Sequence, residues 1–97
     1  MAVATAGAPA IALEALRFVG NGLKRPECVL ATACGDLFTA DWRGGVAHVR
    51  PDGTQALYAA SLAGGRPLRP NGIALRADGS FLLADLGEQL GGVFALD

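Results

Sequence analysis

One stretch of this chain is written twice. Residues 26–41, PECVLATACGDLFTAD, align without a gap on residues 70–85, PNGIALRADGSFLLAD, at an offset of 44. Pro26/Pro70, Ala33/Ala77, Gly35/Gly79, Ala40/Ala84 and Asp41/Asp85 are identical, and Val29/Ile73 and Leu37/Phe81 keep apolar residues at matching places. After a three-residue insertion, Gly44-Gly45-Val46 matches Gly91-Gly92-Val93. A match that spans two apolar segments and resumes in a third points to a repeated supersecondary unit rather than to chance similarity between two Gly/Asp-rich hairpins.

Short apolar runs alternating with turn residues predict antiparallel strands within each copy. The first copy reads as Val29–Ala33, Leu37–Asp41, Val46–Arg50 and Thr54–Ala60, separated by turns at Cys34–Asp36, Trp42–Gly45 and Pro51–Gly53. Gly64, Gly65, Pro67 and Pro70 mark the following segment, Ser61 to Pro70, as a connector without regular structure. The second copy supplies Ile73–Arg76, Phe81–Asp85 and Val93–Leu96. A four-strand unit with this period is the signature of a β-propeller blade. The expected fold is therefore all-β, a β-propeller fragment of about two four-stranded blades. Blade one lies at about residues 28–60 and an incomplete blade two at about 70–97, after an Ala-rich lead-in over 1–21. Within that lead-in, Leu13 to Val19 fits neither the helical nor the strand period cleanly. A propeller closes with about 4–8 blades, so this chain is expected to be part of a ring, with open sheet edges that invite self-association.

Composition narrows the partners. Eight Lys+Arg against nine Asp+Glu leave no basic surplus, which argues against nucleic acid held by its phosphates and against an anionic membrane surface. At 52% hydrophobic and 18% charged residues the chain is expected to bury a core rather than stay disordered. No apolar run approaches the roughly 20 residues that cross a bilayer. The start, Met1 to Pro9, lacks the basic segment of a secretory signal. Cys28 and Cys34 form neither a disulfide framework nor a zinc-ligand spacing, and a cytoplasmic location is the expectation.

Strand direction reverses at every turn, so Glu27, Trp42-Arg43, Arg69-Pro70-Asn71 and the Gly87–Gly91 loop should gather at one mouth, with the Cys34–Asp36, Pro51–Gly53 and Ala77–Gly79 turns at the opposite end. Positions alike in both copies, above all Asp41 and Asp85, are expected to serve each unit's own turns by local hydrogen bonding. Glu27 and Asn71 differ in type at matching places. The first strand of each blade lines a propeller's axis, and a carboxylate beside an amide carbonyl would offer oxygen donors to a hard cation there. A solvated Glu27 and a turn-forming Asn71 before Gly72 is the plainer alternative. Trp42 could form a sugar-stacking wall at the mouth or pack between blades. His48 is expected at a surface or core edge far from the mouth, and Cys28 as a small buried residue.

Pro26-Glu27-Cys28-Val29, Gly35-Asp36-Leu37-Phe38-Thr39-Ala40-Asp41, Gly44-Gly45-Val46, Asp52-Gly53, Pro70-Asn71-Gly72-Ile73-Ala74 and Asp78-Gly79 together resemble the gluconolactonase family. That family also contains senescence marker protein and luciferin-regenerating enzyme. The resemblance runs from about Gly22 to Asp97. It implies a six-bladed ring with one divalent cation (Ca, Zn, Mn or Mg) in the axial channel, and hydrolysis of sugar-type lactones. Carried over residue by residue, it implies Glu27 and Asn71 as metal ligands and Arg69 as a substrate contact. Cys28 stands where the family has glycine and Val29 where it has proline. The family's remaining ligands, including the aspartate that acts as general base, belong to later blades. No catalytic residue is expected in this stretch, which would be inactive alone. A noncatalytic propeller that serves as a binding platform or scaffold is the alternative function.

Overall fold

Turn chemistry and apolar alternation yield seven strands in the computed structural model, which describes residues 10–87 and 91–97. They are β1 (Val29–Ala31), β2 (Leu37–Asp41), β3 (Gly45–Val49), β4 (Gln55–Ala59), β5 (Pro70–Leu75), β6 (Phe81–Asp85) and β7 (Gly92–Leu96). β1 to β4 form one antiparallel meander and β5 to β7 a second. The all-β class and the division into two successive units agree with the expectation. Several predicted strand ends move: β1 stops at Ala31, β3 lies one residue earlier, β4 loses one residue at each end, and β5 already begins at Pro70. Among the described residues no helix is long and apolar enough to cross a membrane.

Three hairpins share one turn. Thr32, Arg50 and Arg76 each donate N–H to the carbonyl four residues on (2.9, 2.8 and 2.8 Å) and accept from the glycine three residues on. Those glycines, Gly35, Gly53 and Gly79, have φ of 91, 90 and 89°, a left-handed conformation that a side chain would strain. Asp52 and Asp78 then accept from the backbone N–H and the hydroxyl of Thr54 and Ser80. These hydroxyl and backbone bonds hold both carboxyls below the usual carboxylate range. The three turns lie at the end away from the predicted mouth.

Each sheet has a leading face and a trailing face. The trailing face of the first carries Leu30, Phe38, Ala40 and Val46; the leading face of the second carries Ile73, Phe81, Leu83, Phe94 and Leu96. These two faces pack together, with Leu62 and Leu68 of the connector, into one core. Phe38 meets Phe81 at 5.2 Å between ring centroids. β5 is the strand of the second sheet that approaches β1 and β2. Cys28, just before β1, accepts a bond from Ile73 N–H and donates one to Ile73 C=O, each at 3.5 Å, so the first strands of the two units stand side by side.

Among the described residues of the lead-in, regular structure is limited to one 3₁₀ turn, Leu13–Ala15, since the uneven spacing of Leu13, Leu16 and Phe18 gives a helix no apolar stripe to bury. Residues 17–24 cross the leading face of the first sheet. There Gln55 donates to Asn21 C=O (2.9 Å) and accepts from Asn21 N–H. The connector was expected to be irregular but contains a 3₁₀ turn at Ala63–Gly65, closed by a Ser61–Pro67 bridge. Positive φ at Gly64 lets the chain turn tightly enough to pair with itself.

Candidate functional site at the mouth of the two sheets

Asp41 and Asp85 end β2 and β6 and anchor the chain that leads into β1 and β5. Asp85 is buried and accepts from Arg69 N–H (2.8 Å) and Gly87 N–H (3.1 Å). Asp41, 0% exposed, accepts from Lys24 N–H (3.3 Å), from Arg43 N–H (2.8 Å), and from Arg43 Nε and Nη2 (3.0 and 2.8 Å). Burial works to raise the Asp41 pKa, but the Arg43 guanidinium and the two backbone donors outweigh it and hold the carboxyl below its ordinary value. The same pairing pushes the Arg43 pKa up, its bond to Asp41 outweighing desolvation. Both aspartates thus serve their own unit's turns, as their repetition suggests.

The bonding also corrects the gapless alignment. Trp42 N–H bonds Lys24 C=O as Leu86 N–H bonds Arg69 C=O (2.9 and 3.0 Å), so Lys24, not Arg25, is the backbone equivalent of Arg69. The first lead-in therefore holds one residue more. It absorbs that residue with two positive-φ residues, Arg25 (46°) and Cys28 (60°). In the second unit the irregularity falls inside the ladder, between Pro70 and Gly72, and Asn71 is the bulged residue. Bulges re-aim side chains. Asn71 Oδ1 is buried and meets no hydrogen-bond donor among the described residues. Glu27 lies just ahead of β1, exposed, with Oε1 3.3 Å from Arg25 Nη2. Its backbone carbonyl accepts from Ala40 N–H (3.2 Å) and Thr39 Oγ1 (3.3 Å).

Trp42 and Arg69 meet as parity predicts. They line a cavity of about 60 Å³ with Leu86 and Gly87. Arg25 Cζ lies 4.3 Å and Arg69 Cζ 5.6 Å from the indole centroid, within cation–π range. Trp42 thus stands between the two units, with Arg25 of the first and Arg69 of the second against its ring. Arg25, missed by the sequence reading, holds it because the positive-φ lead-in folds the guanidinium back over the ring. The indole Nε1 is buried without an acceptor among the described residues. Of the predicted mouth loop, residues 88–90 lie outside the described residues.

Cys28 departs from expectation: it is exposed, because its positive φ turns it out of the strand pattern, and only its sulfur is tied to Ile73. His48 is at the far end, as predicted. Its ring stacks on Phe38 at 4.3 Å between centroids and its Nε2 is 2.8 Å from Asp36 Oδ1. Together with Tyr58, Phe81 and Leu96 they line an open groove of about 420 Å³. Among the described residues no three His, Cys, Asp or Glu side chains converge as a metal cluster; an amide carbonyl such as Asn71 Oδ1 is a donor of a different type. No family model matches the chain, and comparison with curated proteins and with solved structures finds no match either.

Proposed function

We propose that this chain is the N-terminal part of a metal-dependent β-propeller lactonase, its two sheets being the first blades of a six-bladed ring. The observation that carries the reading is Asn71: a bulge leaves its Oδ1 buried without a donor among the described residues, at the sheet end that also holds Trp42, Arg69 and the Glu27 lead-in. A buried carbonyl oxygen left unpaired is unfavourable by about 1–3 kcal/mol, and a hard cation relieves that penalty. Cys28 adds support, since its φ of 60° is a glycine-type conformation at the place where the resembling family has glycine.

Asn71 Oδ1 and the Glu27 carboxylate would hold the cation, Glu27 by exchanging its exposed ion pair with Arg25 for the metal. When bound, the cation would polarise a lactone carbonyl toward attack by water. Arg69, whose guanidinium is exposed beside Trp42, would orient the substrate's ring oxygens, and Trp42 Nε1–H would donate to one of them. Asp41 and Asp85 act indirectly: both carboxylates are already engaged by backbone N–H groups and position the lead-ins rather than react. The general base belongs to a later blade, so lactone hydrolysis is expected only from a longer chain or an assembly that supplies it. Calorimetric titration with Ca²⁺, Zn²⁺ and Mn²⁺ is the test. Wild type should bind at least one of them, and Asn71→Ala and Glu27→Gln should each weaken binding by about tenfold or more, equivalent to about 1.4 kcal/mol. Isotherms that are identical in all three proteins would exclude the metal site and favour a noncatalytic platform.

A further inference from the structure

Two guanidiniums, one from each unit, meet at a single indole. Arg25 Cζ lies 4.3 Å and Arg69 Cζ 5.6 Å from the Trp42 ring centroid. The backbone places both. Arg25 is turned by its positive φ of 46°, and Arg69 is anchored by its N–H bond to Asp85 (2.8 Å) and by the bond its carbonyl accepts from Leu86 N–H (3.0 Å). Like charges gathered at one ring repel unless an anion joins them. Among the described residues the carboxylates of the mouth are spent elsewhere: Asp41 is engaged by Arg43 and Asp85 by two backbone N–H groups. Arg69 makes no ion pair among the described residues. Glu27 meets Arg25 at 3.3 Å, but the two side chains are 45% and 55% exposed, and an ion pair in that setting is weak enough to exchange partners.

The same place offers a cavity and an unused donor. Trp42, Arg69, Leu86 and Gly87 line about 60 Å³, room for a carboxylate group or a few waters but not for a sugar ring. The Trp42 Nε1–H is buried and has no acceptor among the described residues. Forked guanidinium donors stacked against an aromatic wall suit a planar anion.

We propose that Arg25, Arg69 and the Trp42 indole N–H form an anion subsite, and that the ligand of this mouth is a sugar lactone carrying a free carboxylate. The subsite stands on the guanidiniums and the cavity; its assignment to a lactone rests on the function proposed above and names the substrate class. The carboxylate enters the cavity, accepts from Arg69 and Trp42 Nε1–H, and draws Arg25 away from Glu27. That releases Glu27 for the cation, just as a cation that takes Glu27 frees Arg25 for the carboxylate. Each ligand therefore favours the other, and the coupling is equal in both directions. A neutral lactone gains neither the charge contacts nor the coupling.

Trp42 is the one tryptophan of the chain, so its fluorescence reads the subsite directly. The metal-free chain is titrated at constant ionic strength with the monolactone of D-glucaric acid, which carries a carboxylate, and with the neutral γ-lactone of D-galactonic acid. The charged lactone should bind about tenfold more tightly or better. Arg25→Gln and Arg69→Gln should each weaken it by about fivefold or more and leave the neutral lactone unaffected. Both side chains are exposed, so neither change should disturb folding, and an unshifted urea midpoint checks that. Glu27→Gln should tighten the charged lactone by freeing Arg25, and the gain should vanish when Arg25→Gln is added. Equal binding of the two lactones, no response to the charged one, or arginine variants that bind it as wild type does would overturn the proposal. So would a Glu27→Gln gain that persists without Arg25, since it would show a general charge effect. Because no metal is present, failure here is separate from failure of the cation site. A charged-lactone preference in a chain whose calorimetry shows no bound cation would support the subsite and remove only the hydrolytic reading.

Discussion

Asp41→Ala is expected to destabilise the chain by about 3–5 kcal/mol, the range for breaking a buried charge pair by removing one partner. With domain stabilities of about 5–15 kcal/mol, that loss takes most of the stability of a unit at the lower end of the range. The carboxylate accepts four bonds while fully buried. Its removal strands the Lys24 and Arg43 N–H groups and leaves the Arg43 guanidinium, about one-third exposed, beside an apolar methyl. Urea titration of wild type and variant reads the loss directly. The effect has a pH signature. Because the folded pKa lies below the unfolded value of about 3.9, the interaction contributes fully above that pH and is lost as pH falls through the lower folded value. Wild type should therefore lose stability steeply below about pH 4, and Asp41→Asn, already destabilised at neutral pH, should lose less over the same interval. Parallel acid profiles would contradict the assignment. Asp85→Ala should have a smaller effect, since Asp85 holds two backbone donors and no guanidinium among the described residues.

Gly45→Ala should be nearly as damaging, at about 3 kcal/mol, the upper end of overpacking effects. A Cβ at Gly45 would overlap the Tyr58 carbonyl oxygen and crowd Ala59 Cα, both backbone atoms of β4. Relief would require β3 and β4 to separate, and Gly45 is paired directly with Ala59. Gly92 occupies the same place in the second unit, yet among the described residues a Cβ there would meet only the Phe94 ring at 3.5 Å, ordinary contact. Gly92→Ala should accordingly change the unfolding free energy read by urea titration by less than about 1 kcal/mol. The contrast has one cause: β4 lies against β3, and among the described residues no strand lies beyond β7. Equal losses in the two variants would mean that backbone conformation, not strand approach, selects glycine here.

The centres of the strands were legible because their signals are local. A glycine at positive φ sits in four of the hairpin turns, Gly35, Gly44, Gly53 and Gly79, and apolar alternation sets which side chains face the core. The pairing of sheet ends into a mouth was legible too, since strand reversal is a matter of counting, and it correctly put Trp42 beside Arg69. The lead-ins were not. A gapless alignment set Glu27 against Asn71, but the first unit spends an extra residue in a positive-φ loop and the second bulges at Asn71 inside its ladder. Such slips change no residue identity and so leave no mark on a sequence match. The Arg25 contact to Trp42 follows from that loop and was hidden with it. The Asp41–Arg43 pair could have been found: a charge pair two residues apart at a strand end, followed by Gly-Gly, is a turn in which the arginine can fold back on the aspartate.

The claim that Asn71 and Glu27 face a cation at the mouth meets its most direct test in ¹H–¹⁵N spectra of the labelled chain during addition of substoichiometric Mn²⁺. Paramagnetic broadening should appear first at the Asn71 side-chain amide and at the backbone amides of residues 25–28, 42–43 and 69–72, while the Asp52 and Asp78 turns at the opposite end stay sharp. Broadening that begins at Asp52 and Asp78, with the Asn71 amide unaffected, would contradict it.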